Sequence, residues 1–358
     1  MSKYTYTLSW VFLLLLCTVI SLSLYITQSI IPPFPNVVMT TTVLSEKNIS
    51  EKIFSLENIT TIRFVGDIML GRYVEQLTDK YGDDYPFKGV HHILSESDIT
   101  IGNFEGNIPH VHSPTPSGDM QFSMSSKTMS RLADEGFDVL SLANNHSYDN
   151  GYSAYLYTKK MCIQSNIICG GDNQFLSPNS AQIITSDGVR IGILFLYTVF
   201  TQPTPDELKQ LFAKIRDISD VQIAYIHWGD EYTLIHNSTQ EKLAHDLIDI
   251  GIDAIIGHHP HVIQDIEIYK NVPIFYSFGN FIFDQYFSAD VQKGLVVTLE
   301  YTKTKNIFSL SVVTSQSTNS QPWPASVIEQ RSIFNRILAP LEGDRQVNVA
   351  SGTISITQ

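Results

Sequence analysis

Short apolar segments alternate with helical patterns along most of the chain. Segments rich in Ile, Val and Phe predict strands at Thr61–Val65, Ile99–Asn103, Val139–Leu142, Ile191–Leu196, Gln222–Ile226, Ala254–Ile256 and Ile274–Ser277. Between them, helical patterns predict helices at Lys127–Glu135, Tyr152–Gln164, Asp206–Ile215 and Gln240–Ile250. This alternation predicts an α/β domain in which helices cover the faces of a sheet.

The pattern changes after Gly294. Alternating or apolar segments at Leu295–Leu299 and Phe308–Val312 are typical of antiparallel strands, and a last helix is predicted from Ala325 to Leu338. We therefore expect residues 59–300 to form the main domain and residues 301–358 to complete it.

The N-terminal part has a different pattern. No charged residue occurs from Leu8 to Ile31, and about 20 apolar residues suffice for a helix to cross a bilayer. Residues 8–31 therefore predict a transmembrane anchor after a short tail (residues 1–7), with a cleaved signal peptide as the alternative. The Pro-, Thr- and Ser-rich residues 32–58 predict a linker. Lys3 places the N-terminus in the cytoplasm, so we expect a single-pass membrane protein with an extracytoplasmic domain.

The net charge narrows the classes of partner, and the cysteine content raises the question of a disulfide. The 36 acidic and 23 basic residues give a net charge of -13, which argues against nucleic-acid binding and suits a bound cation. The oligomeric state is not predictable from these features. Outside the apolar segment only Cys162 and Cys169 remain, and they could pair in an external compartment or stay as two separate buried thiols.

Several predicted strands end in residue types that bind metal ions. These strand endings are Phe64–Asp67, Ile101–Glu105, Leu142–His146, Ile226–Glu231 and Ile256–His261. In α/β sheets, ligands bind at the carboxyl ends of strands, so endings far apart in sequence can meet. Carboxylates and imidazoles bind Mn, Zn or Fe, and we expect one or two such ions.

Each ending also has a structural interpretation. Asp67 could form a turn, and Asp149 could cap or orient the loop before the helix at Tyr152. The three histidines His258, His259 and His261 within four positions favour a metal or phosphate site.

These residues together resemble a known family, the bacterial capsule-synthesis CapA group, which is linked to poly-γ-glutamate capsules and related to calcineurin-like metallophosphoesterases. The matching stretches are Gly66–Arg72, Asn103–Glu105, Ala143–Gly151, His227–Tyr232, Gly257–Val262 and Tyr276–Asp284. The resemblance implies a four-layer α/β/β/α sandwich of metallophosphoesterase type.

The resemblance also implies roles for individual residues. The implied metal ligands are Asp67, the bridging Glu105, Asn145, His227, His259 and His261, with His258 able to replace one of the last two. His146 is the implied catalytic acid or phosphate-binding residue. Met69 stands where the phosphoesterases have a histidine, which puts the first metal in doubt, and Asn103 could compensate.

Two functions remain open at this point. The first is a metal-dependent hydrolase of a phosphoester or glutamyl amide, with His146 protonating the leaving group. The second is a non-catalytic, membrane-tethered protein that binds, exports or anchors an anionic polymer through its metal. Arg72 and Tyr232 could contact an anionic substrate in either case, or could be packing residues.

Overall fold

The computed structural model describes residues 59–173, 177, 179–315, 319–341, 344 and 346–357. The predicted tail, anchor and linker (residues 1–58) lie outside these ranges. Within them, no helix combines the length and the apolar character needed to cross a membrane.

The described elements alternate as an α/β chain and end in antiparallel strands. The strands are β1 (Thr60–Ile68), β2 (Ile99–Phe104), β3 (Val139–Ser141), β4 (Ile168–Gly170), β5 (Ala181–Ser186), β6 (Val189–Tyr197), β7 (Val221–His227), β8 (Ala254–His258), β9 (Ile266–Tyr269), β10 (Val272–Phe275), β11 (Asn280–Ile282), β12 (Lys293–Tyr301), β13 (Lys305–Ser315), β14 (Pro322–Pro324), β15 (Val347–Asn348) and β16 (Thr353–Thr357). The helices are α1 (Arg72–Tyr81), α2 (His91–Leu94), α3 (Lys127–Asp134), α4 (Tyr152–Gln164), α5 (Pro205–Phe212), α6 (Ser238–Ile250) and α7 (Val327–Ile337), with short 3-10 helices at Tyr85–Phe87, Arg216–Ile218 and Ala339–Leu341.

The predicted α/β class is confirmed, and both sheets are mixed. In the first sheet the strand order is β15-β16-β13-β12-β1-β2-β3-β4, with β11 also beside β1 and β14 beside β13. Strands β1 to β4 are parallel, whereas β12, β13, β15 and β16 continue the sheet in antiparallel pairs. In the second sheet the order is β5-β6-β7-β8-β10-β9, with a parallel centre and antiparallel edges.

Three apolar cores separate the layers. Alternate residues of β1, such as Ile62 and Phe64, meet Ile191 and Ile193 of β6 in a core between the sheets. Other residues of the first sheet pack against α1, α3 and α4, and the outer face of the second sheet packs against α5 and α6. Helix α7 contributes Phe334 and Ile337 to the core between the sheets. Each sheet therefore has one face on its partner and one face on helices.

Strong sequence signals begin three of the helices. Thr204 and Glu207 form a capping box at α5, Asn237 and Gln240 at α6, and Ser326 and Glu329 at α7. Each box satisfies backbone N–H groups that the first helical turn leaves without partners. The sequence patterns did not predict the ten-residue helix α1. They also did not predict the short strands β4, β9 and β11, because three or four residues carry too little periodicity.

Cys162 and Cys169 form a disulfide that joins the end of α4 to β4. Their Cα atoms are 6.1 Å apart, within the usual range for this bond. The paired alternative therefore holds for these two thiols.

Candidate metal centre

Strand register brings the predicted ligands to one edge of the two sheets. In the first sheet Asp67 of β1 lies beside Asn103 of β2 and Asn280 of β11. In the second sheet His227 of β7 lies beside His258 of β8. Apart from Asn280, which begins β11, these positions are at the carboxyl ends of parallel strands, where α/β proteins bind ligands.

Gly66 lets this edge close around Asp67. A Cβ atom at residue 66 would lie 2.1 Å from the carbonyl oxygen of Gly279, so only glycine fits there. The close approach allows the Asp67 N–H to donate to that carbonyl at 2.9 Å. The Asp67 side chain is thereby placed at the edge of the sheet.

Two groups of side chains at this edge can each hold a metal ion. The first is Asp67, Glu105 and His227, and the second is Glu231, His259 and His261. Within each group the ligand atoms lie within 4.8 Å of one another. Glu231 is exposed and the other five are buried.

The buried atoms of this centre fit a cation. Asp67 Oδ2, Glu105 Oε1, His258 Nε2 and His259 Nδ1 are buried and make no hydrogen bond within the described part of the chain. Leaving a buried carboxylate oxygen without a partner costs about 1–3 kcal/mol or more. A divalent cation at this position would satisfy these acceptor atoms, so the donor set fits a metal.

The two buried carboxylates have opposite electrostatic surroundings. Burial by itself would raise the pKa of Asp67, but the contacts of its carboxylate with the imidazoles of His258 and His261 hold that pKa well below its usual value. Burial raises the pKa of Glu105 well above its usual value, and the neighbouring charge of Asp67 adds to this effect, although His261 opposes it. Glu105 therefore gains most from an added positive charge.

Two of the imidazoles are neutral in this setting. Burial and the neighbouring His259 lower the pKa of His227 well below its usual value. Burial and the neighbouring His261 lower the pKa of His259 to about 3. The neutral ring is the form that binds metal ions. Burial also disfavours charge on His261, but Glu105 and Asp67 outweigh it and raise the pKa of His261 to about 9.

Asn103 acts as a donor at the centre of the site. Its Nδ2 lies 2.8 Å from Asp67 Oδ1, 3.3 Å from Glu105 Oε2 and 3.3 Å from His227 Nδ1. Its carbonyl oxygen accepts a hydrogen bond from Asn144. In this orientation Asn103 positions the first ligand group, and its predicted role as a substitute ligand stays a prediction. Met69 lies in the core, where its sulfur accepts the Gly71 N–H.

His146 has fixed partners on several sides. Its Nδ1 lies 2.8 Å from Asp149 Oδ2, its Nε2 lies 3.8 Å from Glu105 Oε1, and its ring stacks on Phe122 at 3.8 Å. The capping interpretation of Asp149 was wrong, because Gly151 is the N-cap of α4 and no side chain caps that helix. Asp149 instead orients His146 and accepts the Phe122 N–H at 2.6 Å. Its predicted role as an additional ligand stays untested.

The remaining predicted residues lie around these groups. Asn145 Oδ1 contacts His227 Nε2 at 2.8 Å, and His258 Nδ1 contacts Asp67 Oδ1 at 3.1 Å. Tyr232 is 42% exposed, and its ring stacks 6.0 Å from His261. Arg72 is buried in an ion pair with Asp284, which corresponds to the packing alternative stated for it.

Backbone strain marks the second ligand group. His259 has φ 96°, His261 φ 57° and Tyr232 φ 64°, in the left-handed half of the map that bulky residues avoid. Such conformations cost on the order of 1–3 kcal/mol each and cluster at functional sites. Packing around the loop after β8 must therefore hold both imidazoles in place.

Two residues of the site received no individual role from the sequence, although Glu231 is the last residue of the predicted strand ending Ile226–Glu231. Glu231 belongs to the second ligand group, and Asn280 orients His261 through a 3.0 Å contact to Nδ1. Both lie in stretches that carried the family resemblance, but Glu231 follows its strand by four residues. Nothing in the local pattern indicated that its carboxylate turns back to the site.

Sequence comparisons show which known proteins this chain is similar to. The sequence profile described as "Bacterial capsule synthesis protein PGA_cap" matches residues 61–285. The capsule biosynthesis protein CapA of Bacillus anthracis is 34% identical over 257 residues, covering 66% of this chain and 62% of that protein. The PGA biosynthesis protein CapA of Bacillus subtilis is 29% identical over 300 residues, with 78% of each chain covered. This chain thus spans less than two thirds of the B. anthracis protein.

Similar solved structures include a hypothetical protein from Thermus thermophilus, with TM-score 0.44 and 14% identity over 74% of this chain and 98% of that one. At this level the likeness carries no functional information. The profile match, in contrast, covers more than half of the sequence and includes every residue of both ligand groups. The chain therefore belongs to the bacterial capsule synthesis protein PGA_cap family.

Proposed function

We propose that this chain is a metal-dependent hydrolase of metallophosphoesterase type that cleaves a phosphoester or a glutamyl amide in an anionic polymer. The observation that carries the proposal is the pair of buried carboxylates, Asp67 and Glu105. Each has one oxygen without a hydrogen bond among the described residues, and both lie near His261 and near the neutral imidazoles of His227 and His259. A structural role gives no reason to bury such groups, because burying unpaired charge is costly. A cation held there supplies Lewis acidity and an activated water.

The chain's own residues then perform two tasks. Asn103 and His258 orient Asp67, so the first ligand group keeps its shape before substrate arrives. Asp149 holds Nδ1 of His146, which leaves Nε2 directed toward Glu105 and the metal groups. From that position Nε2 can deliver a proton to a leaving group, the role of a general acid.

The capsule-related names of the two Bacillus relatives support an anionic polymer as substrate. We further propose that the domain works outside the cytoplasm, tethered by residues 8–31. The disulfide supports an oxidising compartment, because disulfides are rare in the reducing cytosol.

Elemental analysis and turnover by the purified full chain test this proposal. We expect about two equivalents of Mn or Zn and hydrolysis of a phosphodiester or of poly-γ-glutamate. The double variant Asp67→Ala/His259→Ala should lose metal and activity together. His146→Ala should keep its metal and lose turnover by about 100-fold or more.

One observation favours the second function, a non-catalytic binding or anchoring protein. Met69 replaces the histidine of the phosphoesterase motif and its side chain lies in the core, which removes one ligand from the first group. Three results together would establish this function and exclude hydrolysis. The chain would bind polymer in a way that a chelator abolishes, it would contain one metal equivalent or fewer, and the metal-loaded chain would not cleave the polymer.

A further inference from the structure

A small polar pocket lies beside the metal centre on the outer side of the second sheet. It has a volume of about 180 Å³ and is lined by residues that follow β6 and β7 and by the start of α6. Pockets that take a whole ligand usually measure about 300–1,000 Å³, so this one suits a single functional group.

The pocket and the metal centre share one loop. His227 belongs to the first ligand group, the next residue, Trp228, lines the pocket, and so does Asp230. Glu231 then belongs to the second ligand group. The pocket-lining residues Trp228 to Asp230 therefore lie on the loop between one ligand of each group, which puts the pocket next to the metal centre along the chain.

The pocket presents hydrogen-bond acceptors that lack partners. Thr198 is 1% exposed, and its Oγ1 is buried without a partner within the described residues. Gln202 uses its amide nitrogen on the Thr198 carbonyl, which leaves its side-chain oxygen available. Asn237 donates to one oxygen of Asp230 at 2.7 Å, so the other oxygen is left for a ligand.

The charge of the pocket selects among ligands. Asp230 supplies a negative charge, and none of the described residues that line the pocket is basic. The indole of Trp228, whose N–H already donates to the Tyr276 carbonyl, adds an aromatic wall of the kind that attracts cations. A carboxylate or phosphate group would be repelled here, whereas a cation with several N–H donors would be bound.

We propose that this pocket is a subsite for a primary ammonium group of the substrate. An ammonium group has three donors, which match Asp230, Thr198 Oγ1 and the side-chain oxygen of Gln202. The inference rests on the proposed function, because in a γ-glutamyl polymer the ammonium group is that of the amino-terminal residue, whose α-carboxylate would stay outside the pocket. The metal centre would then act near that end rather than at internal bonds.

Calorimetric titration of the full, metal-loaded chain tests this subsite. The probes are a γ-linked glutamate trimer with a free amino terminus and the same trimer with an acetylated amino terminus. We expect the free form to bind about tenfold more tightly or better, since the charged hydrogen bond to Asp230 is lost on acetylation. Asp230→Asn and Thr198→Val should reduce that preference to less than about threefold while affinity for the acetylated form stays unchanged.

Asp246→Asn is the matched control, because this exposed carboxylate on α6 pairs with Lys242 away from the pocket. It should keep the full preference. Two results would overturn the subsite and leave the hydrolase proposal standing. One is equal affinity of the unmodified chain for both trimers, and the other is an undiminished preference for the free trimer in Asp230→Asn. If neither trimer binds, the polymer proposal fails, and titration with methylammonium decides the pocket alone. Methylammonium binding that is lost in Asp230→Asn supports the subsite. Absence of methylammonium binding at the highest soluble concentration rejects it.

Discussion

At the scale of single residues, amides and imidazoles hold the metal-binding carboxylates in place. Among the described residues, no lysine or arginine contacts these carboxylates. Asn103 and His258 contact Asp67 Oδ1, and His261 approaches both Asp67 and Glu105. The sequence predicted these residue types at strand ends. It did not predict which atoms would meet, because those contacts join distant residues, such as Asp67 and His258, which are 191 positions apart.

Asp253 is a half-buried carboxylate that works against the fold at neutral pH. Burial raises its pKa to about 6, although the Gln222 N–H donates to it. The unfolded carboxyl ionises near 3.8. The stabilising effect of the neutral carboxyl is therefore full below pH 3.8 and is lost as the pH rises through 6.

We expect Asp253→Asn to raise the free energy of unfolding by about 2 kcal/mol at about pH 8, after allowance for partial exposure. The asparagine oxygen can still accept the Gln222 N–H. The increase in the free energy of unfolding should shrink to a small fraction at about pH 4. Urea unfolding of both chains at both pH values measures this difference. A gain that is independent of pH would contradict this account.

Asp220→Asn provides a control of opposite sign. The Arg190 side chain and backbone lower the pKa of Asp220 to about 2. Its carboxylate therefore stabilises the fold above pH 3.8, and that contribution is lost as the pH falls through 2. The amide variant should be less stable than the unmodified chain near neutral pH.

At the scale of elements, local capping signals determine where helices begin, and a disulfide links the end of α4 to β4. The capping boxes of α5, α6 and α7 are visible in sequence because their partners are three residues apart. The Cys162–Cys169 disulfide was not decidable from sequence. Both a paired and an unpaired state suit two thiols seven residues apart, and the positions of α4 and β4 decide between them.

Removal of this disulfide should lower stability by a modest amount. For a loop this short we expect Cys162→Ser/Cys169→Ser to reduce the free energy of unfolding by about 2–3 kcal/mol. Urea unfolding with and without dithiothreitol measures the effect. The reductant should lower the midpoint of the unmodified chain and leave that of the double variant unchanged. No effect of the reductant on the unmodified chain would show that the cysteines are not paired.

At the scale of the whole molecule, the metal centre lies between two sheets that contribute different ligands. Asp67 and Glu105 come from the first sheet, and His227, His259 and His261 come from the second. A bound ion therefore links the two halves of the domain. Because the unfolded chain lacks this arrangement, binding must stabilise the folded state.

We expect saturating Mn²⁺ or Zn²⁺ to raise the melting temperature of the chelator-treated chain. At about 100 times the dissociation constant the gain is about 2.7 kcal/mol. Asp67→Asn and His259→Ala should lose most of the shift, which differential scanning calorimetry measures.

His245→Ala is the control for this experiment. It removes another Glu-His-Glu group, formed by Glu241, His245 and Glu267 on α6 and β9. The control should keep the temperature shift that depends on the metal centre. A shift of equal size in Asp67→Asn would place the bound ion elsewhere.

Sequence alone determined the α/β class, the central strands and the residue types at their carboxyl ends. These features depend on periodicity and on neighbours within a few positions, which a linear pattern contains. Tertiary structure decided the rest. The register of β1 against β2 and β11 sets the partners of Asp67, a turn of the chain brings Glu231 to His259 and His261, and an ion pair with Asp284 occupies Arg72. These contacts depend on the packing of distant segments, so no local pattern in the sequence could specify them.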